Sequence, residues 1–161
     1  MSIPARFIVS DHEHWRANHR IDTALPGYLM LAAKHDADDL SLLPQAALVE
    51  LGPLLARLQA ALRTMFAPTR IYVGRYGHSR GHPIHFHVIP VHHWVERLFW
   101  QDDRYRALQQ FAGPTRETLT DGAELTLFIW RELCERPGPS DIKGPTVDET
   151  IALLRRELAS G

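Results

Sequence analysis

The stretch His82-Pro83-Ile84-His85-Phe86-His87-Val88-Ile89-Pro90 decides the fold of this chain. Its central residues are β-branched, aromatic or histidine, and glycine and proline flank them, which predicts a β-strand that ends at Pro90. Side chains alternate between the two faces of a strand, so His85 and His87 share one face and apolar residues occupy the other. We therefore expect a buried apolar face and, opposite it, two imidazoles about 7 Å apart.

Three interpretations of these histidines remain open from the residues alone. Neutral imidazole ligates zinc, copper or iron, and the candidate ligands are His85 and His87 with one of His82, His92 or His93. No CxxC or HExxH spacing accompanies them. The rings could also have a structural role, bonding only backbone groups. In the third interpretation the rings are catalytic: one imidazole attacks phosphorus and a neighbouring imidazolium stabilises the charge on the phosphate.

Composition narrows the class of protein. A chain of 161 residues, 45% hydrophobic and 23% charged, predicts one globular domain. Its net charge of −1 gives no electrostatic reason to expect nucleic acid or a membrane surface as a partner. The single cysteine, Cys134, excludes an internal disulfide, and we find no signal peptide and no apolar run of about 20 residues. A cytoplasmic protein is predicted.

The remaining elements follow from periodicity and turn residues. Apolar residues recur every three or four positions from Pro44 to Phe66 and predict one amphipathic helix, with a kink or a restart at Gly52-Pro53. A capping-box pattern precedes each of two C-terminal helices, at Asp121/Glu124 and Thr146/Glu149. The predicted strands lie near Phe7–Val9, Trp15–His19, Tyr28–Ala33 and Arg70–Tyr76, the last forming an antiparallel pair with the histidine strand.

The residues from Ile84 to Pro90 resemble the end of the histidine-triad signature, His-x-His-x-His followed by two apolar residues. Upstream, Pro-Gly-Tyr-Leu-Met-Leu-Ala-Ala-Lys-His at 26–35 is similar to the family's apolar strand with its terminal basic-His pair. The resemblance covers about Phe7 to Trp100. It implies an α+β fold in which one main helix packs on an antiparallel sheet, and a homodimer. We predict a histidine-triad-like domain over residues 1–112 and a C-terminal helical extension, residues 113–161, packed on it.

The resemblance also implies an activity. Relatives hydrolyse dinucleoside polyphosphates or nucleoside phosphoramidates, or transfer the nucleotide, through a nucleotidyl-histidine intermediate. For this chain we expect no cofactor and no metal ion. By position, His85 is the nucleophile and His87 the last triad histidine. Pro83 occupies the first triad position, and His82, one residue earlier, takes that role if the chain bends.

Further residues are assigned to substrate binding. Asn18 corresponds to a ribose-contacting asparagine, and His35 belongs to the basic-His pair of the upstream strand. Ser79 and Arg80 lie in the loop before the histidine strand, where they could donate hydrogen bonds to a phosphate. A small-molecule nucleotide is therefore the predicted partner.

Two departures from the family pattern leave an alternative open. Pro83 replaces the first triad histidine, and Tyr28 replaces a histidine that often follows Pro-Gly in relatives. A protein with these changes could be a non-catalytic nucleotide sensor that keeps the pocket but turns substrate over slowly or not at all.

Overall fold

The structure is a computed structural model that describes residues 3–76, 82–105, 122–136 and 142–160. The strands are β1 (Ile8–Asp11), β2 (Trp15–His19), β3 (Leu29–Ala33), β4 (Arg70–Gly74) and β5 (His85–Val91). The α-helices within these ranges are α1 (Gln45–Phe66), α2 (His93–Trp100), α3 (Gly122–Leu133) and α4 (Val147–Ser160). The strands form one antiparallel sheet in the order β1-β2-β3-β5-β4. The predicted α+β fold class is confirmed.

Helices cover both faces of this sheet. Residues on the two faces of β5 are buried in different hydrophobic clusters. Ile84, just before the strand, and Val88 are buried with α1 and α4 in one cluster. Ile89 and Val91 are buried with α2 and α3 in the other. Among the described residues, the face that carries the histidines is therefore covered near the end of β5 and open near its beginning.

Helix α1 runs without a break through Pro53, so the predicted restart is wrong. A proline inside a helix removes one hydrogen-bond donor and crowds the preceding turn. Both Pro53 and its neighbour Gly52 are exposed, so water reaches the turn in which the bond is lost. Five residues on the opposite side of the helix are buried against the sheet. This packing favours one continuous helix despite the lost bond.

Strand β5 also continues past the proline expected to end it. Pro90 lies within the strand, opposite Ile71 of β4. Strand β3 pairs only with His85 to Val88, so Pro90 lies where β4 is the single neighbouring strand. A proline is tolerated at such a place because its missing N–H can face the side without a partner.

The two C-terminal helices pack on different faces of the sheet. The predicted capping box of α4 is confirmed: Glu149 accepts a bond from the N–H of Thr146 at 2.8 Å, and the Thr146 hydroxyl accepts from the N–H of Glu149 at 3.3 Å. From the same helix, Arg155 donates to the carbonyls of Ala5, Arg6 and Ile8. The predicted capping residue Asp121 and the predicted boundary at 112/113 lie outside the described residues.

Within the described ranges, no helix combines the length and the apolar character that crossing a bilayer requires.

Candidate active site

The sheet register brings three predicted site residues to one face. Asn18 of β2 lies opposite Met30 of β3, and Met30 lies opposite His87 of β5. His85 is two residues before His87 and therefore shares its face. The row formed by Asn18, Met30 and His87 makes the floor of a cavity.

This cavity has a volume of about 460 Å³ and opens beside the N-terminal half of β5. The predicted residues His82, His85, His87 and Asn18 line it. Pro83 precedes the first residue of β5, so the regular alternation of the strand does not extend to His82. Residues that had not been assigned to the site complete the walls, chiefly Arg20, Asp22, Met30, Tyr76 and Trp130.

His85 and His87 stand side by side with their ring centroids 5.3 Å apart. Nδ1 of His85 lies 3.0 Å from the carbonyl oxygen of Pro83. A carbonyl only accepts hydrogen bonds, so Nδ1 carries the proton and Nε2 of the neutral ring carries a lone pair. A half-buried imidazole with this arrangement is a competent nucleophile.

His87 lies deeper and has different partners. It is 7% exposed, its Nδ1 is 2.9 Å from the hydroxyl of Tyr28, and Tyr76 meets its ring edge-on at 5.2 Å. Burial, together with the positive charge of Arg20, lowers the pKa of His87 to about 4. His87 is therefore a neutral imidazole at physiological pH.

The connection between β2 and β3 places Arg20 in the wall of the cavity and Tyr28 against His87. Gly27 has φ +81°, a left-handed conformation that suits glycine, and a Cβ there would lie 2.7 Å from Leu62. Beyond the last pair of the β2–β3 ladder, the N–H of Arg20 donates to the carbonyl of Tyr28 at 2.8 Å. The two side chains therefore leave the hairpin next to each other. Asp22 accepts two bonds from the Arg20 guanidinium, at 2.5 and 2.9 Å.

Some predicted site residues lie elsewhere. His35 does not line the cavity: its Nε2 is 3.1 Å from Nδ1 of His14, and the two rings stack. Ser79 and Arg80 lie outside the described residues. His92 and His93, candidates in the metal interpretation, line a second cavity together with Pro26 and Lys143. Among the residues that the structure describes, no group of three or more His, Cys, Asp or Glu side chains is arranged to hold a metal ion.

Solved structures share this architecture. A zinc-bound histidine triad family protein from Mycobacterium smegmatis matches with a TM-score of 0.55 at 18% identity, over 98% of this chain and 86% of that one. The chain has the histidine-triad fold. Two enzymes share this fold over 98% of the chain. A uridylyltransferase matches with a TM-score of 0.58 at 15% identity, over 42% of its own chain. The Plasmodium falciparum diadenosine triphosphate hydrolase matches with a TM-score of 0.51 at 12% identity, over 78% of its own chain. No protein-family model and no curated protein matches the sequence.

Sequence reasoning missed the outer wall of this candidate site. One feature of the sequence could have pointed to Arg20 and Asp22. They directly follow the predicted strand Trp15–His19, in the turn before Pro26-Gly27. Tyr28 was noted as a replacement for a histidine but was given no role. Trp130 belongs to α3, beyond the reach of the family resemblance, and no pattern in the sequence brings it to the cavity.

Proposed function

We propose that the protein is a nucleotide hydrolase or transferase that acts at an α-phosphate through a nucleotidyl intermediate on His85. The observation that carries this proposal is the pair of imidazoles, 5.3 Å apart at a cavity of about 460 Å³. That volume is typical of sites for small molecules. The diadenosine triphosphate hydrolase and the uridylyltransferase of the same fold lend further support to this reaction class.

In the proposed reaction, Nε2 of His85 attacks the α-phosphorus in line and forms a P–N bond. The bond from phosphorus to the leaving group breaks, and the leaving group takes the bonding pair. The Pro83 carbonyl, 3.0 Å from Nδ1, stabilises the positive charge that develops on the ring. Water then attacks phosphorus and breaks the P–N bond, the electron pair returns to Nε2, and the proton of the water passes to solvent.

The substrate class is a dinucleoside polyphosphate or a nucleoside phosphoramidate. His87 lines the cavity beside the nucleophile and binds a non-bridging oxygen of the phosphate. Asn18 is buried and lines the same cavity. Its Nδ2 donates to the carbonyl of His19 at 2.8 Å, so its Oδ1 is the atom left to accept a bond from a ribose hydroxyl.

Trapping of the intermediate tests this proposal. The protein is mixed with α-labelled diadenosine polyphosphate or adenosine phosphoramidate and denatured within milliseconds at alkaline pH, at which P–N bonds survive. We expect nucleoside monophosphate as product and label on the peptide that contains His85. His85→Ala should remove both. His93→Ala, at an exposed histidine of the other cavity, should remove neither.

The alternative, a nucleotide sensor, gives a different result in the same experiment. Tight binding of either compound with neither product nor adduct would favour the sensor and contradict the proposed reaction. The homodimer and the cytoplasmic location implied at the sequence level stay predictions, and light scattering of the purified protein tests the first of them.

A further inference from the structure

Arg20, Tyr28 and His87 form a hydrogen-bonded chain whose inner members, Tyr28 and His87, are buried. Nη1 of Arg20 donates to the hydroxyl oxygen of Tyr28 at 2.9 Å. The same hydroxyl lies 2.9 Å from Nδ1 of His87. Tyr28 is 2% exposed and His87 is 7% exposed. Because water has little access, the protons in this chain are placed by the protein groups themselves.

The direction of each bond follows from the chemistry of the groups. A guanidinium only donates, so the Tyr28 oxygen accepts from Arg20. The hydroxyl proton then needs an acceptor, and among the described residues Nδ1 of His87 is the partner within reach. Burial raises the pKa of Tyr28, so the phenol keeps its proton at neutral pH. Nδ1 of His87 therefore accepts, and the single proton of the neutral ring is on Nε2.

We infer that Arg20 and Tyr28 are positioning residues that hold His87 as the neutral Nε2–H tautomer, a fixed donor to a phosphate oxygen in the cavity. His85 is held in the opposite tautomer, because its Nδ1 donates to the Pro83 carbonyl. The Nδ1 partners therefore give the two imidazoles different roles. Nε2 of His85 carries a lone pair that can attack, and Nε2 of His87 carries an N–H that can donate. The role of His87 as a donor to phosphate rests on the proposed function. The assignment of its tautomer does not depend on that function.

The charged and titratable groups that face His87 favour its neutral state. Arg20 contributes a positive charge from the end of the β2–β3 hairpin, and His85 would contribute another if it were protonated. Asp22 opposes them, but its carboxylate is already paired with Arg20. The phenols of Tyr28 and Tyr76 also contact the ring. A second positive charge next to Arg20 would be costly, so His87 serves as a donor without acting as an acid.

Nitrogen NMR of the full-length protein, labelled with ¹⁵N-histidine, tests the inference without any substrate. At pH 7.5 we expect a protonated Nε2 and an acceptor Nδ1 for His87, and the reverse for His85. Tyr28→Phe removes only the hydroxyl and should shift the Nδ1 resonance of His87. Tyr105→Phe is the matched control, because its hydroxyl bonds Glu132 and does not contact His87. Arg20→Met should raise the pH at which His87 gains a second proton.

Turnover of diadenosine polyphosphate gives the second measurement. Tyr28→Phe should lower kcat by up to about 100-fold, since a displaced donor misses the transition state, while KM changes less than twofold. Tyr28→His, which restores the residue expected from the resemblance, should recover part of kcat. A proton on Nδ1 of His87 in the wild type, or a Tyr28→Phe variant with an unchanged spectrum or unchanged kcat, would overturn the inference. If the wild type turns over no nucleotide, the proposed function fails, and the NMR result still decides the tautomer.

Discussion

At the scale of single residues, the position of a histidine on a strand determines which face of the sheet its side chain joins. The group that bonds its Nδ1 determines whether Nε2 can attack or donate. His85 and His87 have the same side chain and are two residues apart. One is bonded through Nδ1 to a backbone carbonyl and the other to a phenol. The alternation of the strand predicted that they share a face. It could not predict that Tyr28, 59 residues away in the chain, contacts His87.

These roles predict unequal losses of activity. His85→Ala removes the attacking atom and should lower kcat by several powers of ten. His87→Ala removes one donor to the phosphate and should cost about 10²–10³-fold, while a labelled adduct on His85 still accumulates slowly. Single-turnover kinetics measures both. Equal losses in the two variants would contradict this division of roles.

His82 should matter less than either triad residue. It lines the cavity but is exposed, and water competes for any bond that an exposed ring makes. We expect His82→Ala to lower kcat by less than about tenfold, well below the 10²–10³-fold typical of a preorganised donor. A loss as large as that of His87→Ala would show instead that His82 fills the role of the first triad histidine.

At the scale of elements, the packing of helix α1 against the sheet outweighs the tendency of a proline to end a helix. The sequence predicted its span to within one residue, because its apolar spacing is regular. It also predicted a kink or a restart at Gly52-Pro53, and the helix does not restart there. The sheet holds the buried side of the helix, and this contact acts between segments that are distant in the chain. Local rules for proline cannot include it.

Replacing Gly52 or Pro53 with alanine should stabilise the protein. Pro53→Ala restores a helical donor and should raise the free energy of unfolding by about 1–3 kcal/mol. Gly52→Ala should add about 0.5–1 kcal/mol, since a Cβ at this position meets no atom within 4 Å. Urea denaturation measures both. Pro44→Ala is the control and should be nearly neutral, because Pro44 lies at the N-cap, outside the helix interior.

Helix α3 contributes an aromatic wall to the cavity. Trp130 is 37% exposed, lines the cavity and lies 5.9 Å from the Arg20 guanidinium. If the proposed function holds, this exposed indole suits a stacked nucleobase, and such stacking is worth about 1–3 kcal/mol. Trp130→Ala should therefore raise the Kd of a nucleoside monophosphate by about 5- to 150-fold, as calorimetry would measure.

Leu127→Ala is the matched control for this experiment. Leu127 lies on the same helix, is 46% exposed and is not among the residues that line the cavity. Its substitution should leave the Kd unchanged. If both variants bind as the wild type does, the base does not stack on α3.

At the scale of the whole molecule, buried histidines make stability depend on pH. Burial lowers the pKa of both His87 and His92 in the folded protein. Unfolded chains bind the proton near pH 6.5, so stability is fully present above that pH and falls as the pH drops towards 4. For His87, with a folded pKa of about 4, the loss between pH 7.5 and 5.5 is about 1 kcal/mol.

Urea unfolding at these two pH values checks this expectation. His92→Gln keeps a donor for the Pro26 carbonyl, which His92 bonds at 2.8 Å, and should weaken the dependence on pH. His93→Gln, at an exposed position, should leave it unchanged. Equal stability of the wild type at pH 7.5 and 5.5 would show that the buried rings do not titrate in this way.

The path of the N-terminal segment has a practical consequence. Ile3 lines the same cavity as the triad histidines, and Arg155 fastens the residues just after it to α4. An affinity tag fused ahead of Ile3 would start beside this candidate site. Recombinant protein for assays should therefore carry its tag after α4, or none.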